Sequence, residues 1–589
     1  NRDCGYFFRC KTSDFAKIPG APIAYWVSDK FRDIFISSKP LAEIASPKVG
    51  LQTGDNDRFL RLWFEASWDR IGFGMKNRDE ARQSGKKWFP YNKGGEFRKW
   101  YGNQDFVVNW ENDGEEIRNF TFDNGKQRSV IRNPDYYFRE SVSWSFVSSS
   151  FFGVRYYPTG FVFDVAGSSC FADVGLSSLL GYLTSNLASS FLSALNPTLN
   201  FQVGNIQSLP ILLGLGDSTA ASKTADKALP QVETEKLDWD SYETSWDFQQ
   251  LPILQMVGDR YQVSLKEAYA TLRKQWVEIT LKMQELENEN NRIFIEAYGL
   301  QEELGPEVPL KEITVTCNPY YRYGVDANNS ESGFPINEDL EQRLLSDTIK
   351  ELISYAVGCM FGRYSLDKSG LILANQGETL ADYLKQVTIP SFLPDKDNVI
   401  PILEGEWFID DIVSRLSEFL KVAFGADKYS ENISFIEEAL GKDLRAYFLK
   451  DFYNDHVKRY KKRPIYWLFS SPKGSFNALI YMHRYSPDTI SIMLNGYLRE
   501  YIHKLRAKVS QLEHQLNAAN LSERDKMLTR KEIDRLQEVI TELELWDAKV
   551  LLPLAEKRIE IDLDDGVKVN YVKFSGAVRN IPGLAAKDE

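Results

Sequence analysis

Apolar side chains recur at helical spacing in several parts of this chain. The clearest stripe is Leu498, Ile502, Leu505, Val509, Leu512 and Leu516, and after a polar turn a second one follows with Ile533, Leu536, Ile540, Leu543 and Val550. Spacing of four and three residues is typical of helices that pack along a narrow seam. The pattern predicts an antiparallel helical hairpin of the coiled-coil type. We interpret it as a structural spacer arm, with a partner-binding arm as the alternative.

Further stripes and short apolar runs predict the rest of the secondary structure. Residues 259–298 predict one long helix, and Leu180 to Leu195 predict a single amphipathic helix that stops at Asn196-Pro197. Apolar and aromatic runs predict strands at residues 59–64, 106–108, 161–163, 465–469 and 478–481. Together these elements predict an α+β fold, in which an N-terminal mixed α/β domain is followed by mostly helical domains.

The same pattern suggests where the domains divide. Small and polar residues dominate from residue 214 to 232, which predicts the clearest linker. The predicted parts are a mixed α/β domain (1–213), a linker (214–258), a long spacer helix with its connection (259–337), a mainly helical domain with short strands (338–489), the hairpin (490–560) and a C-terminal tail (561–589).

Length and composition narrow the class of protein. A chain of 589 residues exceeds a single compact core, and 43% hydrophobic with 26% charged residues is ordinary for a globular protein. No apolar run is long enough to predict a transmembrane helix. The five cysteines form no CxxC pair and the four histidines have no metal-ligand spacing, so we expect a reducing cytoplasm and no metal site. The chain does not begin with Met, and we treat it as a piece of a longer protein.

Charge is distributed unevenly along the chain. The net charge is −12, but residues 1–213 carry 25 basic and 22 acidic side chains, whereas the remainder carries 46 and 61. A polyanion is repelled by the second part and tolerated by the first. A nucleic-acid contact is therefore expected within residues 1–213.

The first of three local clusters there is residues 86–101, where Lys and Arg alternate with Trp, Phe and Tyr. Residues 82–103 hold six basic side chains and one acid. Basic side chains neutralise phosphates, and aromatic rings stack on bases. A solvated basic face over aromatic core anchors explains the composition equally well.

The second and third clusters combine loop-forming and basic residues. Residues 50–59 hold the glycines, Thr53 and Asn56 of a tight loop that suits a phosphate oxygen, although an ordinary turn is favoured on spacing alone. Residues 126–139 have four bases to one acid, with Gln and Asn for adenine edges; a flexible hairpin tip is the equal alternative. A basic run at 458–463 is better explained as a solvated helix end.

Enzyme motifs are absent from the sequence. It contains no GxSxG, no HExxH, and no GxGxxG after a strand. Adenine methylation typically uses an [N/D/S]-P-P-[Y/F/W] loop, whose aromatic ring stacks on the flipped base. The nearest strings, at residues 133–136 and 318–321, lack the second proline. We predict that both are ordinary turns.

Motifs in order along the chain resemble a known family. The motifs that carry the resemblance are Gly50, Thr53, Gly54, Asn56 and Phe59, then residues 86–101, 109–111, 164–167, 196–204, 291–300, 463–467 and 564–571. In this order they are similar to the target-recognition and C-terminal regions of PglX-type adenine-specific DNA methyltransferases of BREX phage-defence systems. The resemblance implies S-adenosylmethionine-dependent methylation of adenine N6 for host marking and phage restriction with other BREX proteins. It places the cofactor and catalytic motifs outside this chain, so no catalytic, cofactor-binding or metal residue carries over.

These observations lead to one main hypothesis and two alternatives. The chain is expected to read double-stranded DNA; the predicted phosphate contacts are Thr53, Asn56, Arg58, Lys87, Lys93, Arg98 and Lys99. The predicted base-edge contacts are Arg128, Arg132, Asn133 and Gln202. The alternatives are a stand-alone specificity subunit resembling that of type I restriction systems, which recruits a separate methylase, and an acidic protein-interaction scaffold.

Overall fold

The computed structural model describes residues 11–584, except 148–150, 173–174, 197, 199, 213–218, 259–262, 328–332 and 517–521; for residues 219–227 it describes the backbone alone. The chain forms two compact units. Unit 1 comprises residues 1–63, 69–245 and 273–341, and unit 2 comprises residues 64–68, 246–272 and 342–589. Each unit is therefore assembled from segments that are distant in sequence.

Both units mix helices with small sheets. The strands are β1 (Lys39–Pro40), β2 (Ser46–Lys48), β3 (Leu60–Leu62), β4 (Trp88–Asn92), β5 (Phe106–Asn109), β6 (Ser141–Trp144), β7 (Val154–Tyr157), β8 (Val162–Phe163), β9 (Ser169–Phe171), β10 (Pro210–Ile211), β11 (Ile400–Pro401), β12 (Tyr466–Ser470) and β13 (Asn477–Tyr481).

The α-helices are α1 (Thr12–Phe15), α2 (Asp29–Ser37), α3 (Asn56–Phe59), α4 (Arg78–Gln83), α5 (Glu111–Arg118), α6 (Leu176–Thr184), α7 (Asn186–Leu195), α8 (Val203–Gln207), α9 (Thr219–Trp239), α10 (Pro252–Gln255), α11 (Leu265–Ala297), α12 (Pro319–Tyr323), α13 (Glu338–Met360), α14 (Leu380–Gln386), α15 (Ile412–Phe424), α16 (Tyr429–Leu440), α17 (Leu444–Lys450), α18 (Phe452–Arg459), α19 (Thr489–Ile492), α20 (Arg499–Leu516), α21 (Glu523–Trp546), α22 (Leu552–Lys557) and α23 (Gly566–Val572). This combination confirms the α+β class.

Unit 1 is built around two four-stranded sheets. Their strand orders are β2-β9-β6-β7, which is antiparallel throughout, and β3-β5-β4-β8, in which β8 is parallel to β4. The β4 residues are all buried, and the polar groups among them have partners: Tyr91 donates to Asp164 Oδ2 at 2.6 Å, and Asn92 Nδ2 donates to the Ser143 hydroxyl at 2.6 Å. Rings including Phe59, Phe89, Trp110 and Phe163 form a common core beside this second sheet.

Two predictions for the first 258 residues are wrong. The stripe from Leu180 to Leu195 is two helices, α6 and α7, because Ser185 is extended (ψ 153°) and its hydroxyl caps α7 by accepting the Ala188 N–H. The predicted linker contains α9, since Ala, Lys, Gln and Glu are good helix formers. Ala228, Gln231 and Glu235 of α9 are fully buried or nearly so, so this segment belongs to the packed part of unit 1.

Unit 2 contains a three-stranded antiparallel sheet in the order β11-β13-β12, surrounded by helices. The strands predicted at 465–469 and 478–481 and the long helix α11 are confirmed. The predicted hairpin is confirmed as α20 and α21, which pack together. Leu505 and Val509 of α20 and Leu536 and Leu543 of α21 are buried. Residues 517–521 of its turn lie outside the described part.

The expected C-terminal tail is part of the core of unit 2. Val567, Tyr571 and Phe574 are buried, and the Arg579 N–H donates to the Leu468 carbonyl of β12 at 2.8 Å. These three residues are spaced as on one face of a helix, but the stripe is too short to indicate a buried helix on its own, which is why the sequence predicted a tail. Within the described ranges, none of the helices combines the length and the apolar character that crossing a membrane requires.

Candidate nucleic-acid interface

The glycine loop, residues 50–58, is held in place by two close backbone contacts. A Cβ at Gly50 would lie 2.0 Å from the Phe163 carbonyl oxygen, and one at Gly54 would lie 2.8 Å from the Arg128 carbonyl oxygen. Gly54 also has a φ of +80°. Glycine is required at both positions because any side chain would collide with main-chain atoms that cannot move aside.

The arm, residues 120–133, is a hairpin with an exposed tip. The Phe122 N–H donates to the Lys126 carbonyl at 2.8 Å, and the Gly125 N–H donates to the Phe122 carbonyl at 2.8 Å. Gly125 supplies the positive φ, +77°, that this tight turn needs. Every residue from 121 to 128 is exposed, so the turn presents its side chains to solvent.

The structure brings the glycine loop and the arm together. Gln52 and Val130 exchange backbone hydrogen bonds of 2.9 and 2.8 Å. The Asn133 Nδ2 donates to the Val49 carbonyl at 2.9 Å. Two clusters that are about 75 residues apart in sequence therefore form one surface.

Three predicted phosphate contacts lie in the glycine loop with different exposure. Asn56 and Arg58 are exposed on α3, whose first turn is capped by Asp55 accepting the Arg58 N–H at 3.0 Å. Thr53 is buried, and its hydroxyl donates to Asn56 Oδ1 at 2.8 Å. The Thr53 side chain therefore orients Asn56 and does not face a ligand, which corrects its predicted role.

An alternating stack of guanidinium groups and rings joins the loop to the arm tip. The Arg58 and Arg128 guanidinium carbons lie 5.0 and 4.9 Å from the centre of the Phe120 ring, and Arg128 also lies 5.4 Å from the Phe122 ring. We call these four residues the arginine–phenylalanine stack. Cation–π contacts of this geometry fix the direction of otherwise flexible arginine side chains.

A polar cavity of about 540 Å³ opens beside the stack. It is lined by Arg58, Asn109, Glu111, Asn112, Glu115, Glu116, Asn119, Phe120 and Thr121. Glu116 accepts from Arg58 at 2.6 Å and from Asn109 Nδ2 at 2.8 Å. The Glu116 carboxylate therefore partly neutralises Arg58 at the rim of the cavity.

The predicted base-edge residues lie on two elements. Arg128 and Arg132 are exposed on the arm, whereas Asn133 is half-buried in a left-handed conformation with φ +50°. Gln202 is exposed at the N-cap of α8, which packs against β2. The arm therefore carries three of the four candidates, and Gln202 belongs to a different part of unit 1.

The remaining predicted phosphate contacts divide between surface and interior. Lys93 is half-buried, and its Nζ donates to Asp164 Oδ2 at 2.7 Å. Lys87 is also half-buried and lies 5.5 Å from the Trp88 ring centre. Both remain accessible in part, but neither has the exposure of Arg128 or Arg132.

Arg98 and Lys99 are buried, which overturns their predicted contact with phosphate. Arg98 donates to Glu235 at 2.9 Å and to Asp238 at 2.8 Å, and its backbone neighbour Lys99 pairs with Glu287. The carboxylates come from α9 and α11, far along the chain, so the local basic composition gave no sign of them. A buried charge needs such partners because desolvation is otherwise costly.

This interior cluster holds two cations and three carboxylates. The Glu235 Oε1 accepts from the Thr314 hydroxyl at 2.6 Å, and the Trp100 indole N–H donates to Glu287 at 2.8 Å. Burial raises the pKa of Glu235 to about 8, even though the Arg98 guanidinium acts in the opposite direction. The excess of one carboxylate over the cations agrees with one proton being retained on Glu235 near neutral pH.

The two strings closest to an adenine-methylation loop do not form a base pocket. Asn318 is fully buried; its Nδ2 donates to the Leu310 and Ile313 carbonyls, and its Oδ1 accepts the Tyr320 N–H at 3.1 Å. Asn133 is bound to Val49, as described above. Both polar atoms of the Asn318 side chain are therefore used within the fold, and the second proline of the motif is missing from both strings, so neither string fits the catalytic step.

Sequence reasoning missed Phe120 and Phe122. Both precede the basic stretch that begins at Lys126, and their alternation with Thr121 resembles an ordinary strand edge. The signal that could have found them is the Asp123-Asn124-Gly125 turn, which predicts a hairpin and places Phe122 at its tip.

Comparisons with known proteins agree with the order of motifs. No family model matches the chain. It is 36% identical over 97% of its length to the adenine-specific methyltransferase BrxX of Escherichia coli O9:H4 (strain HS). It is also 36% identical over 97% of its length to the adenine-specific methyltransferase PglX of Lacticaseibacillus casei (strain Zhang). The chain spans about half the length of these curated relatives, 46% of each. Over that span the chain is similar to the corresponding part of BrxX and PglX.

Proposed function

We propose that this chain is the DNA-reading part of an adenine-specific DNA methyltransferase that acts in BREX phage defence. The observation that carries the proposal is the 36% identity along 97% of the chain to two proteins named adenine-specific methyltransferases. A site-specific methyltransferase must distinguish its target from other sequences, and such discrimination needs groups that contact phosphates and base edges.

The surface formed by the glycine loop and the arm is the proposed place of DNA contact. It presents Asn56, Arg58, Arg128 and Arg132 to solvent, and its main chain is fixed by the close contacts at Gly50 and Gly54. A fixed main chain lets side chains hold a defined register on the duplex. Lys87 and Lys93 are proposed as additional phosphate contacts, and Asn133 and Gln202 as further base-edge contacts.

The role of this chain is binding and orientation. S-adenosylmethionine supplies the methyl group in the whole family, but the Asn318 and Asn133 strings do not fit a methyl-transfer site. We derive no catalytic step for the residues described. Other BREX proteins are proposed as partners of the complete methyltransferase.

Fluorescence anisotropy of the purified chain with labelled duplex DNA tests the proposal. We expect binding at low salt that weakens steeply as salt rises, because each phosphate contact releases condensed counterions. Single-stranded DNA of the same sequence is the comparison ligand. Arg128→Ala combined with Arg132→Ala should weaken duplex binding, while Lys11→Ala combined with Lys17→Ala, away from the loop and the arm in sequence, should leave it unchanged.

The absence of duplex binding at low salt would contradict the proposal for the glycine loop and arm. Equal loss in both double variants would show that net charge alone governs binding. A specificity subunit and a methyltransferase fragment are distinguished by methylation in cells: the gene's full product should methylate adenine without a separate methylase subunit. If the chain binds protein partners but neither double-stranded nor single-stranded DNA, the result would favour the alternative of an acidic protein-interaction scaffold.

A further inference from the structure

We propose that Phe122 inserts into or stacks on the base pairs of bound duplex DNA, as a wedge at the tip of the arm. This inference rests on the proposed function, since it requires duplex DNA at the arm. Such a contact makes the binding free energy depend on how easily the bases of one step unstack. This dependence is distinct from contacts with phosphates and with base edges.

The position of Phe122 carries the inference. Its side chain is 47% exposed although it is a large ring, and it lies in the turn closed by Lys126 and Gly125. The turn projects from the strand pairing between Thr121 and Gln127. Because the hairpin is short and narrow, a ring at its tip can approach the bases of a duplex without a clash between the main chain and the DNA.

The arginine–phenylalanine stack gives the ring a defined orientation. Arg58, Phe120, Arg128 and Phe122 alternate, with each guanidinium carbon 4.9 to 5.4 Å from a ring centre. Phe120 is half-buried and makes an edge contact with Phe59 of the core, 5.1 Å between ring centres. Phe122 is thus the outermost layer of a stack anchored in the core, and a base would continue the same sequence of layers.

Charge around the tip favours a polyanion. Residues 120–132 hold three bases, Lys126, Arg128 and Arg132, and one acid, Asp123. The Arg128 guanidinium lies 5.4 Å from the centre of the Phe122 ring, so a base step entered by the ring would bring its phosphates close to this charge. A single exposed ring is common on protein surfaces, but Phe122 is held against the Arg128 guanidinium at a basic hairpin tip. Proteins that kink DNA insert apolar side chains of this kind between base steps.

Emission from 2-aminopurine tests the wedge, because this base analogue brightens when it loses its stacking partners. The motif methylated in cells by the gene's full product defines the duplex, and 2-aminopurine replaces one base at a time. With the unaltered chain, we expect a several-fold increase in emission at one base step. Phe122→Ala should abolish the increase and weaken binding about fivefold or more, whereas Phe122→Trp should retain both.

Ile36→Ala is the matched control, because Ile36 is 63% exposed on α2 of the same unit and outside the arm. It should change neither emission nor affinity. Thermal melts of all variants verify folding. If Phe122→Ala binds as the unaltered chain does and keeps the emission increase, the wedge is refuted while DNA reading stands. If the unaltered chain binds no duplex, the proposed function fails with it.

Discussion

Two basic, aromatic-rich stretches of unit 1 differ in where the fold places their arginines: one stretch buries Arg98, and the other exposes Arg128 and Arg132. In residues 86–101, the fold turns Arg98 and Lys99 inwards onto carboxylates of α9 and α11. In residues 120–139, it leaves Arg128 and Arg132 exposed, and the Arg128 guanidinium lies over the Phe120 ring. The two are indistinguishable by local composition. What separates them is the presence of acidic partners elsewhere in the chain.

A buried arginine and an exposed arginine need different neighbours. Arg98 has two carboxylates within 2.9 Å, because its charge has lost its water. Arg128 remains hydrated, so aromatic rings suffice to orient it and its charge is available to a ligand.

Replacing Arg98 should have the largest effect. Arg98→Ala leaves Glu235 and Asp238 buried beside each other without their cation, so we expect a loss of about 3–5 kcal/mol in the free energy of unfolding. Urea unfolding followed by circular dichroism measures it. Arg132→Ala is the control and should change stability by no more than about 0.5 kcal/mol. Equal effects of the two would remove the distinction between the stretches.

The stability of unit 1 should fall as the pH rises towards 8. Glu235 has a pKa raised from 4.5 to about 8 in the folded protein, so the unfolded chain loses this proton first as the pH increases. Stability from this group is complete below about pH 4.5 and is lost progressively up to about pH 8. We expect a decrease of up to about 3 kcal/mol between about pH 6 and pH 8. Urea unfolding across that range measures it, and Glu235→Gln should flatten the dependence; an unchanged slope would contradict the assignment.

Base-edge contacts on the arm should affect specificity more than affinity. Arg132→Ala is expected to relax one position of the target, with about 1–3 kcal/mol less discrimination there. Sequencing the methylated motif in cells that carry the altered full-length gene detects the change. Stability should be unaffected, in contrast to Arg98→Ala. An unchanged motif in Arg128, Arg132, Asn133 and Gln202 variants alike would exclude these residues as base readers.

The smallest effect is expected at Arg58, where the charge is partly neutralised. Arg58→Ala should weaken all duplex sequences alike by about fivefold and reduce the salt dependence by about one counterion. Glu116→Gln should do the reverse, because it removes the carboxylate that holds Arg58 at 2.6 Å. Anisotropy titrations at several salt concentrations measure both. If Arg58→Ala and Glu116→Gln change the duplex affinity in the same direction, Arg58 does not contact phosphate.

Periodic elements were predictable from the sequence and tertiary partners were not. The stripes of α11, α20 and α21 carry their own signal, since each helix buries one face along many residues. The break at Ser185 was hidden because a capping serine interrupts the backbone without interrupting the apolar stripe. The candidate surface was predictable only in part. Composition selected Arg128 and Arg132, which the structure leaves exposed, but the pairing of Gln52 with Val130 and the burial of Arg98 depend on long-range contacts.

The interior ion cluster bears on how target specificity could be exchanged between related proteins. A graft of residues 1–213 alone would separate Arg98 and Lys99 from Glu235, Asp238 and Glu287. The transplanted Arg98 and Lys99 would then depend on whether the recipient supplies carboxylates at the positions of Glu235, Asp238 and Glu287. A portable cassette therefore has to include α9 and the part of α11 that belongs to unit 1. The segment boundaries for recombination follow the salt bridges, and the linear order of the sequence is a poor guide to them.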